Sequence, residues 1–305
     1  MAKSVTAIDL SGRVRVSLVS GLGPGLAVAF GLIGIAVMLF GSIASVQVDE
    51  NSMGGAGIGI WRVLGVTLLQ ASLSTFCALA IGVALAWALS HQQRFMCRGI
   101  LVLLLSTSMV LPTIVIILGL ITIWGRSGWL SQLIDGAGLN FGGVIYGFTG
   151  IIMAHAYMNG PFVARGLLHR LEAIPIEHLK LGRSLNITAW QRFKLLEWPA
   201  LKSSLPGFGV IVFLLCFTSF PVVLVMGGSP IYNTLEVAIY EAIKLEFELE
   251  RAIDLALVQL AVCGGLVLLA ATFRPIDASI AARVERPIWS ETRIVFAIQI
   301  LVIGL

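Results

Sequence analysis

Charged residues are missing from whole stretches of this chain, about twenty residues at a time, which is the length needed to cross the ~30 Å hydrocarbon layer as a helix. Such runs occupy 18–45, 63–88, 99–124, 145–164, 205–226 and, apart from Asp254 at its beginning, 252–273. A backbone with no water to bond must bond to itself, and a helix does so within one segment. The fold class that follows is an all-α polytopic membrane protein with six transmembrane helices. Residues 294–305 are apolar except for Gln299 and read as the start of a seventh. Composition agrees: 58% of the 305 residues are hydrophobic and 12% charged, against about 25% charged in soluble domains. The first run is roughly twice the ~7–15 residues of a signal-peptide core, so it reads as a retained span.

Loop charges set an expected orientation. Lys3, Arg13 and Arg15 precede the first run, Arg94 and Arg98 precede the third, and Arg274, Arg283, Arg286 and Arg293 follow the sixth. Between the fourth and fifth lie Arg165, Arg170, Lys180, Arg183, Arg192, Lys194 and Lys202. The alternate loops are poor in basic residues, and the one after the fifth run holds Glu236, Glu241, Glu246, Glu248 and Glu250. Basic loops belong in the cytoplasm. The expected organisation is a cytoplasmic N-terminus at 1–17, a six-helix domain at 18–273 with a cytoplasmic loop at 165–204, and a linker with the start of a seventh span at 274–305. The net charge of +4 is then loop asymmetry in a protein held in a lipid bilayer, not a nucleic-acid surface.

A few residues inside the runs are costly to place in lipid. His155, Tyr157, Asn159 and Pro161 sit close together in the fourth, and Pro112 interrupts the third. Proline removes a backbone donor and crowds the preceding turn, so a break or kink is expected at Pro161 and a kink at Pro112. Two readings remain open for the polar group: a hinge lining a transport pathway, or hydrogen bonds between helices beside a static kink. His91, His155, His169 and His178 are scattered and offer no metal site or acid–base constellation. The four cysteines lack metal or disulfide spacing. No paired intramembrane carboxylates suggest an ion-coupled carrier. GGAGIG at 54–59 lacks the lysine of a phosphate loop and reads as a connector. No GxxxxGK[ST] occurs anywhere, so any ATP would have to be bound by another subunit.

The basic loop carries a patterned stretch, LKLGRSLNITAWQRFKLLEWP at 179–199. Pro175 suits the start of a short helix. Ile176, Leu179 and Leu185, with Gly182 between them, are expected to form one apolar strip flanked by Lys180 and Arg183. Asn186 is placed to end that helix, because it tolerates the left-handed conformation. Thr188 and Gln191 make a capping box that starts a second helix, on which Trp190, Phe193 and Leu196 share a face. Lying on anionic lipid would explain the charge and the tryptophans. A partner-docking element also explains the fixed tight turn.

Extended to Pro206, this stretch resembles the EAA loop of binding-protein-dependent ABC transporter permeases. The Glu-Ala-Ala positions of that motif fall on Lys180, Leu181 and Gly182. Arg183 and Leu185 match it, and Asn186 stands where glycine is usual, so the motif's glutamate and its glycine are both replaced. GRSGWLSQL at 125–133, AHAYMNGPFVARGLL at 154–168, LLCFTSFPVVLVMGGSP at 214–230 and TLEVAIYEAI at 234–243 are similar to the thiamine-type permeases of these importers. Ferric-iron permeases are the nearest alternative.

The resemblance implies a transport subunit rather than an enzyme, working by alternating access in the bacterial inner membrane. It implies that Lys180, Leu181, Gly182, Arg183, Leu185, Asn186, Trp190 and Phe193 couple to a cytoplasmic ABC ATPase dimer. That partner uses ATP and Mg; no cofactor is expected on this chain. A periplasmic substrate-binding protein delivers the solute, and a second permease half completes the pathway, from the same longer chain or a second copy. Because residues 294–305 begin an element without completing it, the sequence is expected to be part of a longer chain.

Overall fold

The computed structural model describes residues 59–92, 98–108, 110–136, 145–227 and 232–271. The expected first span, the N-terminal segment, the linker and the start of a seventh span lie outside these residues. The described residues are helical throughout: α1 (Ile60–His91), α2 (Arg98–Thr107), α3 (Thr113–Trp124), α4 (Trp129–Asp135), α5 (Phe148–Glu172), α6 (Ile176–Ser184), α7 (Ala189–Arg192), α8 (Trp198–Phe217), α9 (Phe220–Met226), α10 (Leu235–Glu241) and α11 (Leu249–Ala271). Two π-helical turns, Phe193–Glu197 and Ala242–Glu246, join α7 to α8 and extend α10.

Four stretches are long and apolar enough to cross a membrane: Ile60–His91, Thr113–Ile134 (α3 and α4 with the turn between them), Ala189–Phe217 and Leu249–Ala270. The polytopic membrane fold stands, but several boundaries move. The third run is broken rather than kinked: α2 ends at Thr107 and Pro112 is the exposed N-cap of α3. Proline pushes the residue before it out of the helical region, and no packed neighbour holds this exposed stretch helical. The fifth run is also two helices, α8 and α9, parted at Thr218–Ser219, and its helical start lies upstream at Ala189.

The fourth run departs in the opposite sense. Helix α5 runs unbroken through Pro161 to Glu172, eight residues past the expected end. It is not among the four membrane-length apolar stretches, yet it is the structural centre. One buried cluster joins it to α1 and α8 through Val163, Leu167, Leu168, Leu171, Phe213 and Phe217. A second joins it to α3 and α9 through Ile151, Ala154, Ile117, Val222 and Met226. A helix walled in on two sides can carry a proline, since packing holds the helical path that the missing hydrogen bond would have supported.

The α1–α5 contact is made close by small residues. Ala71, Ser74, Ala78, Gly82 and Ala86 recur three or four apart on α1 and are all buried, so they line one stripe. A Cβ on Gly82 would collide with Val163, and one on Gly160 would come within 3.1 Å of Ile81 Cγ2. Lipid offers no hydrophobic drive between helices, so close packing of this kind and interhelical hydrogen bonds hold them. The outward leucines of α11, such as Leu257, Leu260 and Leu268, are exposed, as hydrocarbon permits.

Candidate functional site: the basic end of the bundle

His91 at the end of α1, Glu172 at the end of α5 and the segment 176–199 gather at one end of the bundle. The first helix of that segment, α6, has Pro175 as its N-cap. Its other end is a Schellman motif. Asn186 adopts φ 50°, its N–H donates to Arg183 O at 3.1 Å, and the Ile187 N–H donates to Gly182 O at 3.2 Å. Those two bonds satisfy carbonyls that the helix end leaves open. The capping box follows at once: the Gln191 N–H donates to Thr188 Oγ1 at 3.3 Å and the Thr188 N–H to Gln191 Oε1 at 2.8 Å. The turn expected from the sequence is present in both halves.

The second helix does not stop before the span. Helix α7 continues through the π turn into α8, with the Trp198 N–H donating to Phe193 O. Pro199 supplies the reason, since it has no N–H for Leu195 and its ring crowds that carbonyl; a widened turn ahead of it absorbs the conflict.

The expected apolar strip on α6 divides in two. Leu179 and Gly182 face inward and are buried, whereas Leu185 is 67% exposed and Leu181 59%. Helical geometry explains it: Leu185 is six residues beyond Leu179, well off the stripe made by spacings of three and four. Gly182 is required by close approach, as a Cβ there would sit 2.9 Å from Ile187 Cδ1 and 3.6 Å from Leu196 Cδ1. Lys180, Arg183 and Asn186 are exposed. Trp190, 69% exposed, stacks on Phe193 with ring centroids 5.7 Å apart, and Phe193 meets Trp198 at 6.0 Å. Leu181, Leu185 and Trp190 thus project apolar surface from a segment locked by its own turn, with Lys180 and Arg183 among them.

Beneath this face lies a charged cluster that the sequence reading missed. Glu197 is 5% exposed and Arg192 4%. Trp87 Nε1 donates to Glu197 Oε2 at 3.1 Å, and His91 Nε2 lies 3.1 Å from Glu197 Oε1. Arg192 Nε is 3.0 Å from the same Oε1, off the N–H axis, so that the contact is ionic rather than a directed hydrogen bond. His91 Nδ1 lies 2.7 Å from Trp87 O, which leaves both ring nitrogens facing oxygen acceptors. Nearby, Arg98 pairs with Glu172 and its Nε donates to Leu89 O at 3.4 Å, tying α2 to the ends of α5 and α1. The only signal in the sequence was a glutamate and an arginine five residues apart beside a Trp-Pro.

The candidate pathway residues lie apart from this end. His155 and Asn159 are buried between helices, at 1% and 7% exposure, while Tyr157 points out at 58%. Gln70 Nε2 lies 2.8 Å from His155 Nδ1, Ser74 Oγ 3.4 Å from it, and Asn159 Nδ2 donates to Cys216 Sγ at 3.4 Å. Gln70 Oε1 and His155 Nε2 have no partner among the described residues. His155, Asn159 and Pro161 therefore share one helix with Tyr157 but not one surface, and Pro112 lies on α3, outside the group altogether. Among the described residues no three His, Cys, Asp or Glu side chains form a metal-binding group.

No protein-family model matches the chain. Among curated proteins it is similar to the thiamine transport system permease protein ThiP of Haemophilus influenzae, 45% identical over 206 residues. That match covers 67% of this chain and 38% of the relative. The ThiP of Brucella abortus is 37% identical over 245 residues, 78% of this chain and 44% of the relative. The sulfate transport system permease protein CysW of Synechococcus elongatus is 26% identical over 210 residues, covering 65% of this chain and 72% of the relative. The chain spans about two fifths of the length of the ThiP relatives.

Proposed function

We propose that this chain, which is similar to the ThiP permeases over 67% to 78% of its length, is a membrane-spanning subunit of an ATP-binding-cassette importer that admits thiamine or its phosphate esters. The observation that carries the reading is the locked two-helix segment 176–199, with Leu181, Leu185 and Trp190 exposed at the basic end. The positive loops support reading that end, and the N-terminus, as cytoplasmic. A surface of apolar knobs ringed by basic residues suits a protein partner with matching pockets, here the ATPase dimer that binds ATP and Mg. Closure of that dimer would move the segment, and the permease would alternate between outward and inward states by differential binding of conformations. A periplasmic binding protein would supply the solute from the opposite, acidic side, where clustered carboxylates raise the local concentration of cations.

The solute is inferred from the names of the relatives, which are thiamine and sulfate permeases; the ferric-iron reading draws no support from them. Uptake of labelled thiamine, in cells with and without this permease, tests it. Unchanged uptake would remove thiamine from the proposal.

Docking has its own test. Leu185→Asp sets a charge in the contact, where an unpaired buried charge weakens association by several kcal/mol. The ATPase should then fail to co-purify while the permease still inserts, because Leu185 is 67% exposed and lies outside the buried core clusters. Arg183→Glu should do far less, as a rim charge stays solvated. Retention of the ATPase by Leu185→Asp would leave lipid binding as the better account of the segment.

A further inference from the structure

Glu197 is the one carboxylate in the docking segment that is buried, and two of the three side chains around it come from elsewhere in the chain. Trp87 and His91 belong to the last turn and a half of α1, and Trp87 is 110 residues from Glu197 in sequence. Arg192, on the docking segment itself, approaches the same oxygen as His91. Three side chains from two elements therefore converge on a single carboxylate.

The side chains around it form a continuous path. Leu181 and Leu185 project from α6, whose inner face at Gly182 packs on Ile187 and Leu196. Leu196 is followed directly by Glu197, and Glu197 holds the end of α1. Helix α1 then runs back through the bundle against α5, in the close contact made by Gly82 and Val163. Trp87 and His91 are also fixed to each other, with ring centroids 5.0 Å apart. A buried ion pair is seldom the cheapest way to stabilise a fold, since apolar residues of like volume often serve as well. What directed bonds provide instead is a defined geometry between two elements.

We propose that Glu197 is a positioning residue that transmits displacement of the docking segment into α1, so that ATPase motion reaches the transmembrane bundle through this carboxylate. The proposal rests on the docking reading above. It separates two tasks within one segment: the exposed apolar knobs hold the partner, and the buried charge passes the movement on.

The test uses the complete transporter, with its ATPase and binding protein, and three measurements: ATPase co-purification, ATP hydrolysis, and solute taken up per ATP hydrolysed. Glu197→Gln keeps the side-chain shape and removes the charge. It should leave co-purification at the unmodified level and lower uptake per ATP roughly tenfold, within the range of ordinary coupling between sites. Trp87→Phe removes one N–H and keeps an aromatic ring, so it guards against a folding defect. It should lower the same ratio by a smaller factor. A merely structural role would reduce the amount of folded complex without altering uptake per ATP. Unchanged uptake per ATP in both variants overturns the proposal. So does loss of co-purification in both, because Glu197 would then be shaping the docking face. If the unmodified permease retains no ATPase, the docking reading fails and takes this inference with it.

Discussion

Helix α1 carries two polar clusters, one at Gln70–Ser74 and one at Trp87–His91, about 25 Å apart along the helix at 1.5 Å per residue. The first meets His155 of α5 through amide, hydroxyl and imidazole groups and holds no carboxylate or guanidinium, and Gln70 Oε1 and His155 Nε2 find no partner among the described residues. The second meets Glu197 and Arg192, is built on charge, and directs three side chains at the carboxylate. Glu197 and Arg192 are nearly as buried, at 5% and 4% exposure, although Trp87 and His91 are only partly so, and burial alone does not explain the difference. Depth does. A charge far inside the hydrocarbon is expensive, while a neutral amide or imidazole can be held there by one interhelical bond. At the end of the helix a carboxylate can be buried against a guanidinium, with water close by on the other side of the segment. The deep cluster suits holding helices together; the shallow one suits holding a moving part in register.

The largest effect that separates the clusters should come from Arg192→Leu, which leaves Glu197 buried without its cation. Breaking a buried pair from one side typically costs about 3–5 kcal/mol. Thermal unfolding of the detergent-purified protein should show a marked drop, and Arg192→Leu combined with Glu197→Leu should recover most of it. A single variant as stable as the parent would mean that the carboxylate is solvated, and the contrast between the clusters would collapse.

Gln70→Leu should be milder. It takes from His155 its 2.8 Å partner and leaves Ser74 Oγ at 3.4 Å; an orphaned buried polar group costs about 1–3 kcal/mol. A double-mutant cycle with His155→Leu should give a coupling of roughly 0.6–1.7 kcal/mol, the range seen for hydrogen bonds between membrane helices. A cost above that of Arg192→Leu would invert the ranking of the two clusters.

The smallest effect belongs to the turn outside both. Asn186 holds φ 50°, where a β-branched residue is strained; Asn186→Val should lose about 1–2 kcal/mol, read as lower thermal stability and weaker ATPase retention. Asn186→Gly should match or slightly exceed the parent. Equal behaviour of Val and Gly would show that the turn relaxes when its residue changes.

Much of the segment 176–199 was legible because its signals are local. A capping box and a left-handed Asn are spelled within a few residues, and the bonds they make span no more than five. The apolar runs likewise announced membrane helices from composition alone. Proline was not legible in the same way. Pro112 stands at a break between two helices and Pro161 lies within one, although each removes one donor and crowds one carbonyl. Only the surroundings differ: Pro112 is exposed at a break, whereas α5 is packed against α1 and α8 on one side and α3 and α9 on the other. The face on which Leu185 lies required the actual helix, since six residues of spacing turn it away from Leu179.

By itself, then, the sequence determined that this chain is a membrane bundle with a basic, capped, two-helix segment between its fourth and fifth apolar runs. Those features follow from residue type and short spacing, which act before any long-range contact forms. Tertiary structure alone decided that Glu197 faces inward to Trp87 and His91, and that His155 finds Gln70. Each of those contacts joins residues between 85 and 110 positions apart, farther than any local pattern reaches. A charge's partner depends on which helices pack side by side, and no spacing within either helix specifies that.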